Sequence, residues 1–107
     1  MTEMDNETWL LETGHEVIVR KTEHGESALT PFERLIYCLW AADYGIRNAG
    51  DLQAAADVHP RFHEDGRNAA RGLDLPAALA LFSLDPAGME QAYLDRFDSV
   101  VDELRTA

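Results

Sequence analysis

The chain has 107 residues, of which 46% are hydrophobic, enough for the core of one domain and too many for a disordered chain. Its 20 acidic residues outnumber its 9 lysines and arginines, so the formal net charge is −11. This balance argues against direct binding to nucleic acid or to an anionic membrane, since both require a basic surface, and it favours a basic protein as partner.

The first segment is predicted to form a helix from about Asp5 to Glu23. Its apolar residues recur at helical spacing: Trp9, Leu10, Val17 and Ile18. Two features oppose this assignment, because Gly14 costs a helix interior about 1 kcal/mol and Glu16–Arg20 also has the composition of a short strand. No second segment offers a convincing strand to pair with, so the prediction is a helix.

A second helix is predicted to begin after Thr30, to run to about Tyr44 and to stop near Gly45–Gly50. Thr30 and Glu33 can form a capping box, and Pro31 suits the first helical position. An apolar stripe follows at helical spacing: Phe32, Leu35, Ile36, Leu39 and Trp40.

Polar residues near the end of this helix suggest how it terminates. Asp43 projects onto the apolar stripe, where a bare carboxylate would be costly, and Arg47 lies four residues later, in the order that favours an ion pair. We predict that the pair stabilises the helix end; the alternative is that Asp43 contacts a partner. Asn48 and Gly50 both tolerate left-handed backbone, so we predict that they form the turn that ends the helix.

Proline and glycine divide the rest of the chain into shorter helices. Residues 51–58 and 62–71 are predicted as two helices, and Asp74 is predicted to cap a third that ends near Phe82. The last helix is predicted to begin at the cap Asp85 and to bury one face: Met89, Tyr93, Phe97, Val100, Val101 and Leu104. The sequence therefore predicts an all-α, compact bundle of five to six helices, forming a single domain over residues 1–107.

The negative charge is concentrated in the two terminal segments. Residues 1–19 carry five acids and no base, and residues 83–107 carry six acids and two bases. Two strips of carboxylates result at about 100° per residue: Asp5, Glu12, Glu16 and Glu23 on the first helix, and Asp95, Asp98 and Asp102 on the last. The partner contacts predicted from them are Asp5, Glu12 and Glu16 of the first strip and all three residues of the second. The strips are either solvated faces that keep an acidic protein soluble or contacts for a basic partner.

Three stretches carry a resemblance to a known family: Leu29–Arg34, the aromatic-rich run that continues to Trp40, and the turn Ile46–Gly50. Over about residues 28–104 the chain resembles the small acidic bacterial DNA-mimic proteins, a domain mostly of unknown function. Ala49 and Asp51 depart from the family's pattern. The resemblance implies an all-helical fold, no catalysis, and an acidic dimer that occupies the DNA-binding face of a transcription factor.

The chemistry-bearing residues favour no enzyme and no cofactor. His59 and His63 are four residues apart, but Pro60 places His59 at a helix cap, and a zinc site needs three or four protein ligands. Cys38 lies within an apolar helix, which is typical of a small buried residue rather than of a nucleophile. We therefore expect a non-enzymatic protein without a metal or a cofactor.

Tyr37 and Tyr44 lie on the flank of the second helix, away from its main stripe. They either cover another helix or form the apolar centre of an interface, where aromatic residues are enriched. A homodimer is one use of such an interface.

Three functions are compatible with this sequence. The first is a DNA-mimic-like protein that captures the DNA-binding surface of a basic protein through the two carboxylate strips. The second is an immunity protein that neutralises a basic toxin such as a nuclease, and the third is a structural or oligomeric domain whose acidity only maintains solubility. A cytoplasmic location is expected, since the first residues lack the features of a signal peptide and a single cysteine cannot form an internal disulfide.

Overall fold

The computed structural model describes residues 4–107, and over this range the chain is helical with no strand. The α-helices are α1 Asn6–His24, α2 Pro31–Ala49, α3 Gln53–Val58, α4 Phe62–Leu73, α5 Pro76–Ser83 and α6 Pro86–Thr106, and a 3-10 helix, Glu26–Ala28, lies between α1 and α2. The predicted all-α bundle of five to six helices is confirmed. None of the described helices is long and apolar enough to cross a lipid bilayer.

The core is organised around α2, which packs against α1, α3 and α4, while α6 packs against α5 and α1. All six apolar residues predicted for the inner face of α6 are buried. In α2 the middle of the predicted stripe is fully buried, and Phe32 and Trp40 lie partly buried at its edge. The helical periodicity of the sequence therefore identified the core faces of the two longest apolar helices correctly.

The first segment is a helix along its whole length, as predicted. Asp5 is its N-cap, and the carboxylate accepts a hydrogen bond from the backbone N–H of Thr8 at 2.7 Å. Gly14 is buried against Trp40, and a Cβ atom at this glycine would lie only 2.6 Å from Cδ1 of the indole. Gly14 therefore lowers the intrinsic stability of α1, but its lack of a side chain lets Trp40 of α2 pack closely against α1.

The second helix begins with the predicted capping box and continues past Tyr44 to Ala49. Gly45 does not end it. This glycine lies within the helix, and a Cβ atom there would be only 2.7 Å from the backbone oxygen of Asp51, which follows α2. Gly50 has a φ of 77° and ends the helix in the left-handed conformation, as predicted. Asn48 is different from the prediction, because it is still helical and its side-chain amide donates to the carbonyl of Tyr44 at 2.9 Å.

The predicted cap of α5 is wrong. Asp74 has a φ of 57° and ends α4 in the left-handed conformation, and the N-cap residue of α5, Leu75, makes no side-chain hydrogen bond. Glu103 of α6 provides the cap instead, with its two oxygens accepting from the N–H groups of Ala77 at 2.8 Å and Ala78 at 3.0 Å. A carboxylate 25 residues away thus replaces the local cap that the sequence pattern indicated.

Replacing this cap tests its contribution to stability. Glu103→Ala is expected to lower the free energy of unfolding by about 1 kcal/mol, the usual cost of deleting a helix cap, because two N–H groups at the start of α5 lose their acceptors. Glu103→Gln keeps one acceptor oxygen and should lose less. Urea denaturation followed by circular dichroism measures both, and an alanine variant as stable as the wild type would contradict the role of Glu103.

Candidate functional site

Of the three partner contacts predicted on α1, one caps the helix and two have side chains without a hydrogen bond or an ion pair to another described residue. Asp5 is the N-cap of α1, and the pKa of its carboxyl is lowered because the backbone N–H of Thr8 donates to it. Glu12 and Glu16 are exposed, and neither forms a hydrogen bond or an ion pair with another residue in the described range 4–107. Only these two members of the strip are available to a partner without disturbing a contact of the fold.

The strip predicted on α6 is joined to α1 by an asparagine. Nδ2 of Asn6 donates to Oδ1 of Asp98 and to Oδ1 of Asp102, both at 3.0 Å. Arg105 donates to Oδ1 of the same asparagine at 2.9 Å. These side chains and Asp5 line one cavity of about 590 Å³. The structure therefore brings Asp5, Asp98 and Asp102 to one cavity, where Asn6 connects Asp98 and Asp102 of the last helix to the start of the first.

Asp95 is the member of the α6 strip that the fold leaves free. It is exposed and forms no hydrogen bond or ion pair with another described residue. We call Glu12, Glu16 and Asp95 the free terminal carboxylates. The helical angle predicts these two strips, but it cannot separate the free carboxylates from those bonded across the bundle, since Asn6 and Asp98 are 92 positions apart.

The predicted pair of Asp43 and Arg47 is confirmed, and a third residue joins it. Nε of Arg47 and the hydroxyl of Tyr93 both donate to Oδ1 of Asp43, at 2.8 Å and 2.7 Å. Asp43 is 3% exposed and Tyr93 is fully buried. Burial, followed by the charge of Asp43, raises the pKa of Tyr93 well above its ordinary value. Periodicity identified Tyr93 as a core residue, but no sequence signal identified its partner.

Arg47 extends this network to a third helix. Its NH1 group lies 3.8 Å from Oε2 of Glu7 on α1, and its guanidinium lies over the ring of Phe97 on α6, 4.8 Å from the centroid. The side chain is about one-third exposed, so it lies at the boundary between the core and the solvent. One arginine of α2 therefore contacts both terminal helices.

Tyr37 and Tyr44 have different environments. Tyr37 is buried and its ring stacks on His59, with the centroids 4.9 Å apart. Tyr44 is 43% exposed and stacks on Trp40, with the centroids 5.8 Å apart and the planes at 20°. Of the two predicted uses, packing against another part of the chain holds for Tyr37, whereas Tyr44 presents an aromatic face to solvent.

The two histidines near Pro60 contact different partners. Nε2 of His63 lies 2.7 Å from the carbonyl oxygen of Leu84, whereas Nε2 of His59 lies 3.4 Å from a carboxylate oxygen of Asp65. His59 follows α3 as its C-cap, as predicted from Pro60. The pair therefore does not converge on one point.

A different set of residues has the spacing of metal ligands. Glu26, His59 and Asp65 offer ligand atoms that all lie within 4.8 Å of one another. Arg34 and Arg61 line the same cavity, and Nε of Arg61 lies 3.8 Å from Oδ1 of Asp65. Because Arg61 already pairs with Asp65 and Arg34 lines the same cavity, two positive charges oppose the binding of a cation there.

Cys38 is fully buried in α2. Burial, with the charges of Asp65 and Glu26 adding to it, raises the pKa of its thiol. A thiol that stays protonated is a poor nucleophile, since the thiolate is the reactive form. This cysteine is therefore suited to packing and not to covalent chemistry.

Comparisons with protein-family models, with curated proteins and with solved structures find no match for this chain.

Proposed function

We propose that this chain is a non-enzymatic acidic binding protein that captures the DNA-binding surface of a basic protein. The observation that carries the proposal is the exposure of the free terminal carboxylates, Glu12, Glu16 and Asp95, and their lack of partners among the described residues. They are exposed, and they form no hydrogen bond or ion pair with another described residue. Their charges are therefore available to a partner at no cost to the contacts of the fold.

The overall charge supports the same kind of partner. A net charge of −11 attracts a basic protein beyond direct contact, over roughly the 8 Å Debye length of physiological salt. Such a field steers the encounter and raises the association rate. A DNA-binding face carries lysines and arginines placed to meet a row of phosphates, and carboxylates held on rigid helices offer them a comparable row of negative charge.

We further propose that the protein acts in the cytoplasm, where DNA-binding regulators work. Cys38 is a free, buried thiol, which suits a reducing compartment.

Affinity capture tests the proposed function. The immobilised protein is exposed at low salt to a lysate of the source organism, and each bound protein is identified and then assayed for release from labelled DNA. We expect a basic DNA-binding protein to bind, to leave its DNA as the acidic chain is added, and to elute when the salt concentration is raised.

Other results would contradict parts of the proposal. Capture of a basic toxin whose activity is blocked, with no DNA-binding protein retained, would replace the DNA-mimic assignment by an immunity function. If no basic protein is retained even at low salt, the acidity serves solubility only and the proposed function is wrong.

A further inference from the structure

A groove between α1 and α2 combines an exposed aromatic ring with two carboxylates. Its volume is about 250 Å³, and its walls include Glu7 and Leu11 of α1 and Trp40, Asp43 and Tyr44 of α2. Leu11 is 49% exposed and Tyr44 is 43% exposed. Pockets for drug-sized ligands are usually about 300–1,000 Å³, so this groove is better matched to a single inserted side chain.

One oxygen of Asp43 accepts no hydrogen bond from a described residue. Oδ1 accepts the hydrogen bonds from Tyr93 and Arg47, whereas Oδ2 accepts none from a described residue. Every fully buried side-chain nitrogen and oxygen of the described residues has a partner, so Oδ2 is not sealed within the core. Because Asp43 lines the groove, this oxygen is available to a donor that enters it, and a charged donor would form the strongest bond.

The charges of the groove favour a cation. Two carboxylates, those of Glu7 and Asp43, face one guanidinium, that of Arg47, which leaves a local charge of −1 within a molecule of net charge −11. Arg47 is already engaged, with Nε on Asp43, NH1 at 3.8 Å from Glu7 and its guanidinium over Phe97, and at this distance Glu7 keeps room for another donor. A second cation can therefore meet Glu7 and the free oxygen of Asp43.

The aromatic residues favour one kind of cation. Trp40 and Tyr44 are stacked nearly parallel, and Tyr44, which is 43% exposed, lines the groove together with the two carboxylates. A planar guanidinium stacks on such a ring and can donate to two acceptors at once, which a lysine ammonium does less well. Leu11 offers an apolar surface for the methylene groups of the same side chain.

We propose that this groove receives an arginine side chain of the basic partner, with its guanidinium against Tyr44, Glu7 and Oδ2 of Asp43. The inference rests on the proposed function and names the residue that the partner inserts. The free terminal carboxylates then attract the partner, and the groove selects among basic surfaces.

Two capped peptides test the groove: Lys-Lys-Arg-Lys-Lys and its all-lysine counterpart. Each is titrated at low salt into ¹⁵N-labelled protein, and the indole N–H signal of Trp40 is followed by NMR. We expect the arginine peptide to bind about threefold to tenfold more tightly than the lysine peptide and to shift the Trp40 signal.

Variants of exposed residues locate this preference. Tyr44→Leu keeps an apolar side chain but removes the ring, and Glu7→Gln removes one carboxylate; each should remove most of the preference for arginine. Glu12→Gln is the matched control, because Glu12 is exposed on the same helix and does not line the groove. It should weaken the binding of both peptides equally and leave the preference intact.

The outcomes separate the groove from the wider proposal. If both peptides bind with equal affinity, or if Tyr44→Leu keeps the preference for arginine, the groove is not the site, although capture by the acidic surface still stands. If neither peptide binds at low salt, both proposals are contradicted. If the wild type sediments as a dimer that Tyr44→Leu dissociates, a second copy occupies the groove and the arginine proposal is wrong.

Discussion

Asp43→Ala is expected to lower the free energy of unfolding by about 3 kcal/mol, because a buried tyrosine hydroxyl and a guanidinium lose the same charged acceptor. Tyr93 is fully buried and its hydroxyl donates to Oδ1 of Asp43 at 2.7 Å, so the variant leaves a donor unpaired inside the core. In urea the unfolding midpoint should fall by about 1 M or more.

Two further variants separate the contributions to this network. Asp43→Asn keeps an oxygen that can accept from Tyr93 and should lose less stability than alanine. Tyr93→Phe removes the hydroxyl but leaves Asp43 paired with Arg47, and we expect an intermediate loss of about 1.5–3 kcal/mol, as for other hydrogen bonds to charged groups. If Asp43→Ala unfolds at the same urea concentration as the wild type, the network is not a stabilising feature.

Alkaline pH should weaken the hydrogen-bond network of Tyr93 and Asp43. The pKa of Tyr93 is raised in the folded protein, so the folded state holds this proton at pH values where the unfolded chain releases it. The stability that depends on Tyr93 is fully present below about pH 10, the ordinary tyrosine pKa, and is lost progressively as the pH rises above it. Tyr93→Phe should show a shallower loss of stability between pH 9 and pH 11, and identical pH profiles would contradict the raised pKa.

Gly45→Ala is the second substitution with a large expected effect. Alanine normally stabilises a helix interior by about 1 kcal/mol relative to glycine, but a Cβ atom at position 45 would lie 2.7 Å from the carbonyl oxygen of Asp51 and 3.0 Å from the nitrogen of Ala55. Both contacts are with backbone, which cannot rotate away. We expect the contact between α2 and α3 to open and the net loss of stability to be about 1–3 kcal/mol.

Gly72 provides a matched control for this prediction. It also lies in a helix, α4, but a Cβ atom there would meet nothing within 4 Å. Gly72→Ala should therefore raise the stability by about 0.5–1 kcal/mol through the backbone preference alone. Thermal unfolding of both variants measures the contrast, and a stabilised Gly45→Ala protein would show that α2 and α3 are not packed as closely as the structure indicates.

Most of the fold was predictable because its signals are local. The capping box at Thr30, the cap Asp85 and the left-handed Gly50 each act within one helical turn, and the apolar stripes of α2 and α6 have helical period. The cap of α5 was not predictable. Asp74 has the residue type of a cap, but it lies one position before the N-cap residue Leu75, and Glu103 reaches the helix end from another part of the chain.

In the candidate site, only the contacts between residues of the same helix were predictable from the sequence. Angles along each helix predict two strips of terminal carboxylates, but the roles of Asp98 and Asp102 depend on Asn6, which meets them only in the folded bundle. The pair of Asp43 and Arg47 has helical spacing and was predicted, whereas the hydroxyl of Tyr93 comes from a distant helix and was not. Contacts between helices are therefore what the sequence pattern leaves out.

These contacts also decide which substitutions test binding cleanly. Changing Asp98 or Asp102 would disturb the junction of the first and last helices, so a loss of binding could follow from a loss of structure. Changing Glu12, Glu16 and Asp95 together removes three charges and no contact between described residues. A control triple, Glu26→Gln, Asp57→Asn and Glu64→Gln, removes the same charge from exposed positions elsewhere. It also removes the exposed ion pair between Glu64 and Arg61, whereas Asp57→Asn keeps the oxygen that accepts from Gln53.

The most direct test of capture by the terminal helices is the dissociation constant of the captured basic protein, measured against salt for the wild type and both triple variants. The terminal triple should bind about tenfold more weakly at low salt, as expected for three exposed charge pairs, and its affinity should depend less on salt. The control triple should stay close to the wild type. Equal weakening in both triples would show that only the net charge matters and would contradict a binding surface at Glu12, Glu16 and Asp95.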